Sequence, residues 1–265
     1  MEIKDLYDLT GKTAIVTGGG DERRYGFHIS SSLCEAGATC IIASRNIDMC
    51  RESAAKLVDK GYKAYAKELN QGLEDSITEF VSGVIKEFGK IDILVNAAVA
   101  RKGCDLEDMT VSDWEEAQKV NSTGLMLICK EVVGHMRERR QGSIINISSI
   151  QGVNGPRFPV YGDTGMSSPV NYAFDKWGMI GLTKWMANYY GKYNIRVNCI
   201  SPGSYNPELQ FQEDNEFVIN YKRLTPLCRF GVADDIKGPI VFLASEASKY
   251  VTGQNLVVDG GWSSW

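Results

Sequence analysis

Histidine is nearly absent from this chain: only His28 and His135 occur in 265 residues, far apart and without the spacing of metal ligands. No metal centre is expected. An excess of one charge is missing too, since 29 basic and 33 acidic residues are interspersed and leave a net charge of -4. Without a basic stripe to track a phosphate backbone or an anionic bilayer, neither nucleic acid nor membrane is the expected partner, and a small molecule is. Uninterrupted apolar runs of bilayer-spanning length are lacking, and Met1 to Leu6 has no charged start followed by an apolar stretch. The seven cysteines (34, 40, 50, 104, 129, 199 and 228) contain no Cys-x-x-Cys and mostly sit in apolar stretches, as reduced thiols of a cytoplasmic protein do. Repeats, low-complexity tracts and linkers are also absent. With 43% hydrophobic residues the chain can bury a full core, so a single domain over 1–265 is expected.

What is present is an alternation of short apolar runs and helical stretches. Thr13 to Val16 reads as a strand, Gly26 to Ala36 as a helix, Thr39 to Ala43 as a strand, Asp48 to Lys60 as a helix, Lys63 to Glu68 as a strand and Leu73 to Phe88 as a helix. Ile91 to Val95 follows, then one long helix from Val111 to Arg139, a strand at Ser143 to Ile147, a helix from Asn171 to Tyr189, a strand at Ile195 to Ile200, a helix at Ala233 to Ala244 and a strand at Asn255 to Val258. Unbroken apolar strands alternating with helices predict an α/β fold: a Rossmann-type, doubly wound parallel sheet with helices on both faces. Two loops rich in Gly, Pro, Ser and Asn, about 152–170 and 201–225, follow strand ends and are the expected substrate loops.

The first strand ends in Thr17-Gly18-Gly19-Gly20, with Gly26 opening the next helix. A glycine turn there lets backbone N–H groups and a helix N-terminus approach a pyrophosphate, so Gly18, Gly20 and Gly26 are candidate cofactor contacts. Asp21-Glu22-Arg23-Arg24-Tyr25 makes this turn longer than a Gly-x-Gly-x-x-Gly motif. Arg23 or Arg24 could reach a phosphate, and a solvated loop is the competing reading. The second strand ends in Ser44-Arg45 without an acid, which favours the extra phosphate of NADP(H), with NAD as the alternative.

Moving a hydride between a nicotinamide and an alcohol carbon also moves a proton on or off oxygen, and a tunable acid/base must stand there. Tyr172 and Lys176 lie four apart on one predicted helix face, where the ammonium can pull the phenol below its ordinary value. Ser149, at the end of a predicted strand, could bond the substrate oxygen.

Taken together, these residues resemble the short-chain dehydrogenase/reductase family from about Leu9 onward. The resemblance rests on the Thr17-Gly18 turn, Asp92 to Ala98, Asn121, Gly142 to Ser149, Tyr172 with Lys176, Arg196 to Gly203, Val251 to Gln254 and Val258 to Gly261. It implies that Ser149 orients the substrate oxygen, Tyr172 exchanges the proton, Lys176 binds the nicotinamide ribose, and Asn121 holds a water that relays protons through Lys176. It also implies that Asn96 shapes the cleft near the adenosine ribose, that Glu68-Leu69 lies near adenine, and that Pro202-Gly203 faces the cofactor. The chain departs from the family in three places. Asn96-Ala97-Ala98-Val99 replaces Asn-Asn-Ala-Gly, the usual Thr beyond Pro202-Gly203 is not evident in Ser204 to Pro207, and the segment between Ser149 and Tyr172 is lengthened.

The polar inserted loop (Asn154, Arg157, Tyr161, Asp163, Thr164, Ser167, Ser168) points to a sugar, sugar acid or polyol, and is similar to that of family members of the gluconate 5-dehydrogenase or surface-sugar-biosynthesis type. A hydroxysteroid-like substrate is the alternative, with Phe158, Pro159, Val160, Met166 and Phe211 as its apolar lining. A non-catalytic NADP-binding sensor would be expected to lose the tyrosine or lysine, and an enoyl reductase to space them further apart. The terminal stretch Val251 to Trp265 resembles family segments that pack between subunits, so a homotetramer or dimer is expected. Arg137, Arg139 and Arg140 suit a helix C-terminus, with an acyl-carrier protein as a minor alternative partner.

Overall fold

A computed structural model describes residues 2–101 and 105–265; Cys104 lies outside them. Seven strands, β1 (Thr13–Thr17), β2 (Thr39–Ser44), β3 (Ala64–Glu68), β4 (Ile93–Asn96), β5 (Gly142–Ile147), β6 (Ile195–Pro202) and β7 (Asn255–Val258), form one parallel sheet in the order β3-β2-β1-β4-β5-β6-β7. A short helix, α1 (Ile3–Leu6), precedes β1, and every residue of β1 and β4 is buried, as expected of parallel strands covered on both faces.

Pleating sends alternate residues to two cores. Ala14, Val16, Cys40, Ile42, Ile93 and Val95 face one side, where α2 (Tyr25–Glu35), α3 (Ile47–Val58) and α9 (Ala233–Ala244) supply Leu33, Leu57 and Ile240. Ile15, Ile41 and Leu94 face the other, against α4 (Glu74–Phe88), α6 (Leu125–Arg139) and α7 (Val170–Tyr190). Local signals set the helix ends: the Asn46 side chain accepts from Met49 N at 3.1 Å to open α3, and Gly89 closes α4 at φ 77°.

Two elements differ from expectation. The helix expected over 111–139 is interrupted, α5 (Val111–Gln118) passing through a π turn at Lys119–Gly124 before α6. The reason is tertiary, because the 71–72 backbone crosses here: a Cβ on Gly124 would stand 2.0 Å from Gln71 O. The amide of Gln71 then donates to Val120 O at 3.1 Å, satisfying a carbonyl in the widened turn. Within the second expected loop lies α8 (Glu216–Leu224), opened by Asn215 accepting from Val218 N, with Phe217, Val218 and Tyr221 buried. Within the chain the terminal stretch pairs β7 with β6 and buries Trp262, which stacks on Tyr221. Of the described cysteines, five are buried and Cys228 is exposed.

Candidate active site

The strand order reverses between β1 and β4, and a crevice opens at the carboxyl ends of the strands at such a switch point. A cleft of about 570 Å³ lies there. Gly18, at φ 72°, is pressed so closely against the opposing strand end that a Cβ would stand 2.8 Å from Ala98 N and Cα. Gly26 is equally constrained, its Cβ direction meeting Gly18 O at 2.3 Å. Thr17 Oγ1 accepts from both Ala97 N and Ala98 N at 3.2 Å. Those bonds use backbone donors, so the Ala97 departure leaves the β1–β4 junction intact.

Gly18, Gly26, Pro202 and Gly203 line the cleft. Gly20 is buried beside Ser44 at the end of β2, and Arg45 next to it is exposed. Of the two arginines in the long turn, Arg23 is engaged by Asp21 at 3.1 Å and Glu208 at 3.8 Å, and Arg24, 3.8 Å from Asp21, lines the cleft. These residues fit a dinucleotide phosphate: a glycine cradle that any Cβ would fill, the N-terminus of α2 and cations at both ends. Glu68 is exposed at the end of β3; Leu69 puts its side chain into the core and donates its N–H to Ser44 O at 3.0 Å. Asn96 is 2% exposed, and its amide donates to Asn146 Oδ1 at 2.8 Å, tying β4 to β5.

The four residues expected at the reacting end converge from three segments. Ser149 follows β5 and accepts from Gln151 N at 3.1 Å. Tyr172 and Lys176 stand on the first turns of α7, with the ammonium 5.5 Å from the phenol ring centre and donating to Ile147 O at 2.7 Å. Ser148 Oγ donates to Lys176 O at 2.8 Å, so the end of β5 and the start of α7 are locked together. Burial pushes the Tyr172 phenol up, but the charges of Lys176 and then Arg101, with hydrogen bonding by Ser149 and Arg101, outweigh it and hold the group below its ordinary value. Asn121 sits in the π turn, its Oδ1 accepting from Ala100 N at 2.8 Å and its Nδ2 donating to Ala100 O at 2.9 Å and Asp175 Oδ2 at 2.7 Å.

Arg101 was not among the candidates read from the sequence. It follows β4 by five residues, at the carboxyl edge of the sheet, and its guanidinium lies 5.4 Å from the Tyr172 ring centre. Position after a strand end was the signal that could have found it. Asp175, between Tyr172 and Lys176, is likewise a tertiary finding.

A family model described as enoyl-(acyl carrier protein) reductase matches residues 20–263. A 3-oxoacyl-(acyl-carrier-protein) reductase of Aquifex aeolicus is 35% identical over 98% of this chain and 99% of its own length. A 2-dehydro-3-deoxy-D-gluconate 5-dehydrogenase of Formosa agariphila is 34% identical over 97% and 94%. The crystal structure of a gluconate 5-dehydrogenase from Burkholderia cenocepacia in complex with NADP and tartrate superposes with a TM-score of 0.88 at 31% identity, covering all of both chains. The chain belongs to the short-chain dehydrogenase/reductase family.

In this short-chain dehydrogenase/reductase two of the sequence departures form one structural feature. Tyr25, from the lengthened glycine turn, stacks on Tyr205, from the altered segment after Gly203, with ring centres 4.4 Å apart. Tyr205 also shares a hydrogen bond of 2.9 Å with His28. Tyr25 and Tyr205 both line the cleft, beside Gly18, Gly26 and Gly203. The inserted loop supplies the substrate side: Asn154, Arg157, Tyr161, Ser167 and Ser168 line the cleft, and Arg157 stacks 5.3 Å over Trp262 while donating to Trp265 O. Of the apolar candidates only Val160 and Met166 line it; Phe158 and Phe211 are 55% and 76% exposed. Arg139 pairs with Asp92 at 2.7 Å and bonds Ile91 O before β4, at the end of the sheet remote from the cleft.

Proposed function

We propose that this oxidoreductase interconverts a secondary alcohol and a ketone on a sugar acid, using NADP(H). The observation carrying the reading is the charge of the cleft. In a chain of net charge -4, the charged side chains lining it among the described residues are Arg24, Arg101, Arg157 and Lys176, with no carboxylate. Arg101, over the Tyr172 ring, stands where a substrate carboxylate beside the reacting carbon would be recognised.

When bound, NADP supplies the two-electron carrier for the hydride of the carbinol carbon. In oxidation the Tyr172 oxygen, ionised with help from Lys176 and Arg101, takes the hydroxyl proton as the carbon loses its hydride; in reduction it returns the proton to the ketone oxygen. Ser149 donates its hydroxyl hydrogen to the substrate oxygen and holds it against Tyr172. Lys176, fixed by Ile147 O, keeps the phenol acidic and faces the nicotinamide ribose. Ser44 and Arg45 receive the extra phosphate of NADP, and Gly18, Gly20 and Gly26 admit the pyrophosphate.

The exposed aromatic face of α7, with Trp177 and Trp185 more than half exposed, supports a homotetramer or dimer. The free thiols support a cytoplasmic location; no described helix is long and apolar enough to cross a membrane.

The test is NADP+ and NAD+ turnover on D-gluconate, D-glucitol and a hydroxysteroid, with NADPH turnover on a 3-oxoacyl thioester alongside. Gluconate-type acids are expected to exceed the neutral polyol by about tenfold or more in kcat/KM. Arg101→Gln should remove that difference and Tyr172→Phe all turnover. Preference for the steroid or the thioester, or an unchanged preference in Arg101→Gln, sinks the sugar-acid reading.

A further inference from the structure

The link between α7 and the loop after β4 is unusually direct. Asp175 is 5% exposed and accepts from Gln118 Nε2 at 2.6 Å and from Asn121 Nδ2 at 2.7 Å. Asn121, held in this way, grips the next segment by both of its backbone polar groups: its Oδ1 takes the Ala100 N–H and its Nδ2 gives to the Ala100 carbonyl. The residue after that grip is Arg101, whose guanidinium stands over the Tyr172 ring. The side chain of Asn121 thereby spends both N–H groups and one acceptor position on its neighbours.

We propose that Asp175 is a positioning residue for the proton-transfer site, holding Asn121 so that Asn121 clamps Ala100 and keeps Arg101 against Tyr172. The proposal rests on Tyr172 being the acid/base. It gives the side chain of Asn121 a second task, anchorage of the arginine loop, and it explains why a carboxylate is tolerated in this buried place beside Lys176. A carboxylate accepts from two amides at once, which a small apolar residue cannot do. Burial raises Asp175 above the ordinary carboxylate value, against the lowering by Asn121, Gln118, Lys176 and Ser122. Besides Asp175 itself, the charged or titratable groups acting on Tyr172 are Lys176 on α7, Arg101 after β4 and Tyr161 in the inserted loop.

The two effects of removing Asp175 have opposite signs, and this makes the idea testable. Loss of its negative charge, with all else in place, favours the Tyr172 phenolate and moves the acid limb of the oxidation profile to lower pH. Loss of the clamp takes Arg101 away, disfavours the phenolate and moves the limb to higher pH. The first experiment is hydrogen exchange of the peptide spanning residues 97–101 in the full-length protein with NADP+ present, comparing wild type, Asp175→Ser and the isosteric Asp175→Asn, which keeps an acceptor for Asn121. Asp175→Ser is expected to raise exchange about tenfold, the scale of one lost hydrogen bond, and Asp175→Asn to stay near wild type. Unchanged exchange in Asp175→Ser overturns the proposal whatever the substrate proves to be. The second is the pH profile of kcat/KM on D-gluconate. Asp175→Ser should move the acid limb upward as Arg101→Gln does, with the double variant no further displaced than Arg101→Gln. A shift to lower pH, or two effects that add, overturns it. Absence of gluconate turnover in the wild type counts against the sugar-acid reading and leaves the exchange result to decide the clamp.

Discussion

Replacing Gly124 by alanine tests whether the π turn is imposed from outside the helix. In an ordinary helix interior the change stabilises by about 0.5–1 kcal/mol, because glycine gives up more backbone freedom. At Gly124 the added Cβ would stand 2.0 Å from Gln71 O and 2.9 Å from Gln71 Cγ. Relieving that overlap displaces backbone, at about 1–3 kcal/mol, and breaks the Gln71 amide bond to Val120 O, worth about 0.5–1.5 kcal/mol. The net is a loss of about 2 kcal/mol, or a fall in Tm of roughly 4–8 °C for a chain of this size. Gly134, on the exposed side of α6 with nothing within 4 Å of a built Cβ, is the internal control. Gly134→Ala should raise Tm by roughly 1–4 °C. The assay is thermal unfolding by circular dichroism at one protein concentration, since association shifts the midpoint. If Gly124→Ala proves as stabilising as Gly134→Ala, the account of the interrupted helix is wrong.

Two further outcomes follow from the site. In Lys176→Met the largest charge lowering Tyr172 is gone while burial still pushes it up. Oxidation, which needs the phenolate, should lose its neutral-pH rate and recover only at higher pH, while reduction, which needs the phenol, persists to higher pH. A pH profile with an unmoved limb would contradict this. Arg45→Gln should raise KM for NADP+ by about 10- to 100-fold with little effect on NAD+, as expected for loss of a charge-assisted phosphate contact; equal effects on both cofactors would place the phosphate elsewhere.

The fold was legible because its strands are continuous apolar runs and its helices carry regular apolar spacing, signals that survive without knowledge of any partner. Ser149, Tyr172 and Lys176 were legible because one helix face pairs the last two and a strand end presents the first. Arg101 was not, since an arginine in a loop has no periodicity and its meaning comes from the ring it covers. Helix α8 hid in a segment whose polar start reads as loop, although Phe217, Val218, Tyr221 and Leu224 carry helical spacing.

The single long helix expected over 111–139 shows where reading along the chain stops. Nothing local to Lys119–Gly124 demands a π turn; it forms because the Gln71 backbone occupies the space a regular turn would need. Likewise the Asn96-Ala97-Ala98-Val99 departure leaves the strand junction in place, because the Ala97 and Ala98 N–H groups meet Thr17 Oγ1 regardless of side chain. By itself the sequence determined the doubly wound sheet, the glycine cradle and the tyrosine–lysine pair, because each depends on residues close along the chain or on backbone periodicity. Only the tertiary structure decided that the charged side chains lining the cleft, among the described residues, are all cations, that Tyr25 and Tyr205 stack beside it, and that Asp175, Asn121 and Ala100 connect to Arg101, because these contacts join residues 21 to 180 positions apart, and proximity at that range is set by how the layers pack.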